Sequence, residues 1–128
     1  MNVVDSSGWL EYFIDGENAD FFAPVIERLE EVLVPTISLF EVFKRVLSER
    51  NKNDALEAVA LMKGAQVVEL DDSLALFAAE LSYALRLPMA DSIILATARA
   101  YDAVLWTQDA HFKGLEGVQY IERRGRST

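Results

Sequence analysis

Short unbroken apolar runs alternate along this chain with longer stretches in which apolar residues recur every three or four positions. Asn2 to Val4 is the first run, and it passes into Asp5-Ser6-Ser7-Gly8, a composition that suits a strand entering a turn and then a helix over Trp9 to Ile14. Asn18 and Asp20 are cap candidates for a second helix with Pro24 in its first turn, and Val25, Ile26, Leu29 and Val32 or Leu33 carry its spacing. Val32 to Thr36 reads as a second buried strand. Ser38 to Arg50 predicts a helix with Leu39, Phe43, Val46 and Leu47 on one face and Lys44, Arg45 and Ser48 away from it. A further helix runs from about Asn53 to Lys63 and stops at Gly64.

Val67 to Leu70 is a third strand, after which Asp71 or Asp72 caps a helix that runs to Arg86 with apolar residues on more than one face. Pro88 breaks the pattern, Met89 to Tyr101 resumes as helix, Ala103 to Thr107 is a fourth strand, and Val118 to Ile121 is a candidate fifth. Strands alternating with helices imply βαβ units, hence an α/β fold whose mainly parallel sheet is covered on both faces. No repeat, low-complexity segment or linker interrupts the chain. One domain over residues 1–122 with a loose basic tail over residues 123–128 is expected.

Composition narrows this reading. A chain of 128 residues can bury one core, and 52% hydrophobic against 26% charged residues belongs to a compact domain and not to a disordered one. Without cysteine there is neither a disulfide nor a thiolate metal site, which suits a reducing cytoplasm. The N-terminus has no signal-peptide pattern, and the charge-free run from Val32 to Phe40 falls well short of the roughly 20 residues of a spanning helix. No membrane association is expected.

The net charge of −9 argues against a nonspecific nucleic-acid binder, whose affinity comes from Lys and Arg. Its distribution weakens the objection: residues 1–35 carry −7, residues 36–64 carry +1 and residues 65–128 carry −3. Lys44, Arg45, Arg50 and Lys52 form one basic group, and Arg123, Arg124 and Arg126 another. Acids that hold divalent cations are neutralised by them, and the cations attract phosphate.

Ligands of parallel sheets bind beyond the carboxyl ends of the strands, and acids gather there. Asp5 ends the first strand, Glu41 follows the second, Asp91 opens a helix and Asp109 follows the fourth strand. Hard oxygen ligands without nearby histidine or cysteine favour Mg²⁺ or Mn²⁺ over Zn²⁺. Each acid also has a purely structural alternative. Ser38-x-x-Glu41 matches a capping box, Glu41 can pair with Arg45, Asp91 suits a first helical turn and Asp109 suits a turn. Asp5 is harder to explain away, because a carboxylate continuing a buried strand requires a partner or a metal. Carboxylates clustered without a base between them are expected to raise one another's pKa by repulsion.

Val3-Val4-Asp5-Ser6-Ser7, Thr36 to Glu41 ahead of Phe43, Leu87-Pro88-Met89-Ala90-Asp91-Ser92-Ile93-Ile94-Leu95-Ala96-Thr97-Ala98 and Thr107-x-Asp109-x-x-Phe112 stand in the order seen in PIN-domain ribonucleases of the VapC type, which this chain resembles over essentially its whole length. The resemblance implies a three-layer α/β/α sandwich in which Asp5, Glu41, Asp91 and Asp109 converge on Mg²⁺, with Mn²⁺ as a substitute, to cut RNA. It implies Asp5 and Asp91 as the most direct ligands, and Ser6 and Thr107 as hydroxyls hydrogen-bonded within the cluster. It also implies a homodimer and a VapB-like antitoxin partner.

Two other readings are compatible with parts of the pattern. A receiver or acidic phosphatase also binds Mg²⁺ at strand ends, but a receiver calls for an acid pair beside the first strand, where Asp5 stands alone. A catalytically silent PIN-like interaction module should have lost one of the acids, and none is missing. His111, the sole histidine, reads as a surface or turn residue, since histidine-pair RNA hydrolysis needs two. Phe112 reads as a core anchor. Trp9, Tyr12, Phe13, Phe21, Phe22, Phe40 and Phe43 concentrate aromatic surface early in the chain, and neighbours such as Tyr12 and Phe13 or Phe21 and Phe22 are not expected to share one core.

Overall fold

In the computed structural model, residues 1–124 are described, so part of the tail expected over residues 123–128 lies outside the described residues. Five strands, β1 (Asn2–Val4), β2 (Val32–Pro35), β3 (Gln66–Val68), β4 (Val104–Thr107) and β5 (Val118–Tyr120), form one sheet in the order β3-β2-β1-β4-β5. Every pairing is parallel. Six helices connect them: α1 (Ser6–Phe13), α2 (Ala19–Ile26), α3 (Thr36–Glu49), α4 (Lys52–Met62), α5 (Asp72–Leu85) and α6 (Met89–Ala100).

Strand alternation assigns the layers. Val4, Val32 and Val34 pack with Trp9, Phe22, Ile26, Val42 and Met62 from α1 to α4. Val3, Leu33 and Leu105 face the opposite way, onto Leu74 and Ala78 of α5 and Ile94 and Leu95 of α6. Both sheet faces are therefore covered, as the continuous apolar runs require, and the result is the three-layer sandwich. The connection from β1 to β2 and that from β1's other neighbour β4 leave on opposite sides of β1. The crevice beyond the ends of β1 and β4 is thus a topological switch point, where open α/β sheets bind ligands. A receiver-type sheet has the order 2-1-3-4-5, so the observed order speaks against that alternative.

Three local departures from the expected pattern have physical causes. The first helix begins at Ser6 and not at Trp9, because Oδ1 of Asp5 accepts the Gly8 N–H at 3.1 Å and caps a Ser-Ser-Gly turn of poor intrinsic propensity. The second helix ends at Ile26, and Leu29–Glu31 form a separate 3₁₀ turn. Pro24 lies well inside that helix and not in its first turn; Asn18 stands at the cap position but spends its amide on Oε1 of Gln108 at 2.9 Å and on the Glu122 carbonyl at 3.1 Å. The third helix starts at Thr36, directly after β2, so Ser38 is within the helix and is no cap. The adjacent aromatics do share a core layer: Phe22 is fully buried, Phe21 packs on Trp106 with centroids 5.3 Å apart, and Tyr12 and Phe13 lie against the same cluster. Phe112 is fully buried, as its expected anchoring role requires.

Candidate functional site

The apolar strand Val3-Val4 delivers Asp5 to the carboxyl end of β1, where its side chain is almost fully buried. Its Oδ1 accepts from the Ser7 hydroxyl at 2.8 Å and from the Gly8 N–H, so the carboxylate is both helix cap and site residue. Burial pushes its pKa up to about 7, against the opposing pull of the Ser7 and Thr107 hydroxyls and the Gly8 amide. Thr107, at the end of β4, accepts the Asp109 N–H on its own hydroxyl at 2.9 Å. One hydroxyl thereby ties Asp5 to the backbone of Asp109.

Glu41 is brought in by α3. Its Oε1 accepts the Ser6 hydroxyl at 2.6 Å, a contact between residues 35 apart in sequence. The capping-box alternative for Ser38 and Glu41 fails on geometry, since Ser38 Oγ is buried without a hydrogen-bond partner among the described residues. The Arg45 alternative fails too: Arg45 pairs with Glu49 at 3.2 Å.

Asp91 opens α6 and Asp109 follows β4, and both meet His111. Nδ1 of His111 donates to Oδ2 of Asp91 at 2.7 Å and lies 3.3 Å from Oδ1 of Asp109. The surface reading of His111 captured its exposure and missed this position, because the turn Asp109–Phe112 folds its ring back over α6. Burial raises the pKa of Asp91 first, the hydrogen bond from His111 opposes it, and the charges of Asp109 and Glu41 add to it. Mutual repulsion, the expected cause, does contribute but is secondary to desolvation, and a basic group, not expected there, stands among the acids. His111 in turn is raised, chiefly by its bond to Asp91 and then by the charge of Asp109.

That last pair is directly measurable, since the chain has one histidine. An NMR pH titration of the His111 ring should give a pKa above the ordinary value in the metal-free protein. Asp91→Asn should move it back down, because the main acceptor loses its charge. An unchanged titration in the variant would show that the imidazole does not engage Asp91 in solution.

All four acids, with Ser6, line one cavity of about 460 Å³ beside Phe40, Lys44, Arg45 and Arg123. Asp91, Asp109 and His111 each offer a ligand atom, all within 4.8 Å of one another. The donor set of carboxylate oxygens with one imidazole fits a divalent cation of the Mg²⁺ or Mn²⁺ kind. Gln108 went unnoticed in the sequence: it is buried and joins Asn18, Glu11 and the Ser7 carbonyl beneath the site. A polar residue just after an apolar strand was the only available signal.

The PIN domain family matches residues 3–118. The chain belongs to the PIN domain family. Among solved structures, this PIN domain is similar to a toxin–antitoxin complex from Klebsiella pneumoniae, with a TM-score of 0.78 at 19% identity over 93% of this chain and 96% of the other. FitAcB from Neisseria gonorrhoeae aligns with a TM-score of 0.73 at 21% identity, covering 95% and 97%. VapC20 of Mycobacterium tuberculosis, described as a toxin that cleaves the sarcin–ricin loop, aligns with a TM-score of 0.68 at 16% identity, covering 88% and 92%. At these identities the likeness is one of fold. No curated protein matches the sequence. Among the described residues, no helix of the PIN domain is long and apolar enough to cross a membrane.

Proposed function

We propose that this PIN domain is a divalent-metal-dependent endoribonuclease and the toxin of a VapBC-type pair, with Asp5, Glu41, Asp91 and Asp109 as its catalytic and metal-holding carboxylates. The observation that carries the reading is the convergence of these acids, from four separate elements, on one cavity at the switch point of a PIN-family sheet. A silent interaction module has no need of that convergence. When bound, Mg²⁺ or Mn²⁺ neutralises charge on the phosphate and acidifies the attacking water.

The chain's own residues prepare the site. Ser7, Gly8 and Thr107 hold the Asp5 carboxylate in one orientation, and Ser6 holds Glu41. His111, exposed and on a short turn, bonds Asp91 at 2.7 Å and lies 3.3 Å from Asp109, which offsets part of the repulsion between the two acids. A VapB-like antitoxin and a homodimer complete the reading. Support for them comes from the fold likeness to a toxin–antitoxin complex and from apolar side chains left exposed, such as Leu47, Leu76 and Tyr83. Cytoplasmic action on RNA is in keeping with this proposal.

The test uses purified protein separated from any small partner that accompanies it. Cleavage of single-stranded RNA is expected in Mg²⁺ or Mn²⁺, none in excess EDTA, and inhibition when the partner is added back. Cleavage that survives EDTA would exclude the metal-dependent mechanism. Metal-dependent cleavage with no inhibitory partner in the native cell would leave a nuclease that is not a VapBC-type toxin.

A further inference from the structure

We propose that Phe40 and Lys44, at the edge of the acidic cavity, form a subsite for one unpaired nucleotide of the RNA, its base stacked on the Phe40 ring and its phosphate beside the Lys44 ammonium. The inference rests on the ribonuclease reading and deepens it by naming the side chains that grip one nucleotide beside the acids.

Phe40 immediately precedes Glu41 on α3, yet its side chain is 59% exposed while Val42 and Val46 of the same helix are buried. Core packing therefore does not account for it. Among the described residues it is the one aromatic side chain that lines the cavity holding Asp5, Glu41, Asp91 and Asp109. Nζ of Lys44 lies over the ring, 5.7 Å from its centroid and one helical turn on, so an exposed aromatic surface and a cation are presented side by side. Lys44, Arg45 and Arg123 all border the same cavity. Arg123 is led there by the carbonyl of the preceding residue, Glu122, which the buried Asn18 amide holds at 3.1 Å.

An aromatic platform next to cations, at the border of a metal-binding acid cluster, matches the way unpaired nucleotides are held: the base stacks and the phosphate is neutralised. A base inside a duplex has both faces stacked already and cannot reach the ring. Away from the acids, Phe40 also continues into an apolar groove with Leu39, Phe43, Leu47 and Val59. That groove suits a protein partner, whereas the side of Phe40 that borders the acids and cations is the one assigned to the nucleotide.

Binding is measured in an Asp5→Asn background, so that the probe survives, using an unpaired oligoribonucleotide of about ten nucleotides and a fully paired hairpin. The unpaired probe should bind more tightly than the hairpin. Phe40→Leu keeps an apolar side chain and removes the stacking face; it should weaken the unpaired probe roughly tenfold. In the otherwise wild-type enzyme it should raise KM by a similar factor. Lys44→Gln should reduce the salt dependence of binding by about one ion. Tyr101→Leu, exposed at the C-terminal end of α6 and outside the cavity, should change none of these. If Phe40→Leu leaves affinity and KM unchanged while the wild type cuts RNA in Mg²⁺, the subsite is wrong and the nuclease reading stands. The same unchanged affinity with an altered sedimentation profile would assign the ring to a protein interface and also overturn the proposal. Absence of RNA binding and of cleavage in the wild type would remove both.

Discussion

Replacing Asp5 by Asn should raise the melting temperature of the metal-free protein at pH 8 while lowering metal-dependent RNA cleavage by orders of magnitude. Asn caps a helix about as well as Asp, so α1 keeps its start, and the Ser7 and Thr107 hydroxyls can rotate to suit an amide. What disappears is a buried charge. The Asp5 carboxyl has a pKa near 7 in the folded chain against an ordinary value of 3.8. A raised carboxyl pKa means that the native state holds the proton more tightly than the unfolded chain. Stability is therefore lost as pH climbs from about 4 to about 7, and the loss is complete above that. The linkage limit is on the order of 4 kcal/mol, and the variant recovers at most that much at pH 8. At pH 4 wild type and variant should melt together. Melts in EDTA between pH 4 and pH 8, with cleavage rates in Mg²⁺, check both halves. A variant that melts lower than wild type at pH 8 would show that the carboxylate is a net stabiliser and that burial does not govern it. Saturating Mg²⁺ should reverse the ranking, because selective binding to the native wild type stabilises it.

Gly8→Ala is expected to lower stability by about 1–3 kcal/mol, which for a domain of this size is several degrees of melting temperature. Helix propensity alone would predict a gain from this substitution. The local geometry reverses the sign: a Cβ at position 8 falls 2.6 Å from Cε1 of Phe22 and 2.6 Å from Cγ1 of Val4. Both neighbours are fully buried, so neither can swing aside. The first turn of α1 must move, and it carries the Gly8 N–H that orients Asp5 and the Ser6 hydroxyl that holds Glu41. Activity should fall with stability even at temperatures where the variant is folded. Combining Gly8→Ala with Phe22→Leu should restore part of the lost stability, because the smaller side chain makes room. Calorimetric melts of the two single variants and the double variant test this, and strict additivity would place the strain elsewhere.

The element order and both covered sheet faces were legible in the sequence because burial on two sides forces unbroken apolar strands, and because helices must repeat at their own period. All five strands and six helices lie close to their expected places. The differences sit where a side chain from elsewhere takes over a local signal. Asn18 had the composition of a cap and was drawn into a bond with Gln108, a residue 90 positions away. Ser38 and Glu41 had the spacing of a capping box, but β2 runs straight into α3 and moves the helix start two residues back, leaving Glu41 to Ser6. The candidate acids could be named from their positions after strands, since a parallel sheet sends all its carboxyl ends to one edge. Their surroundings could not. Desolvation of Asp5, the seat of His111 between Asp91 and Asp109, and the exposure of Phe40 beside them depend on how the 3₁₀ turn at Ala110–Phe112, α3 and α6 close around the edge. Sequence spacing determines which groups reach that edge; only the packing of distant elements decides how much water, and which neighbours, each of them keeps.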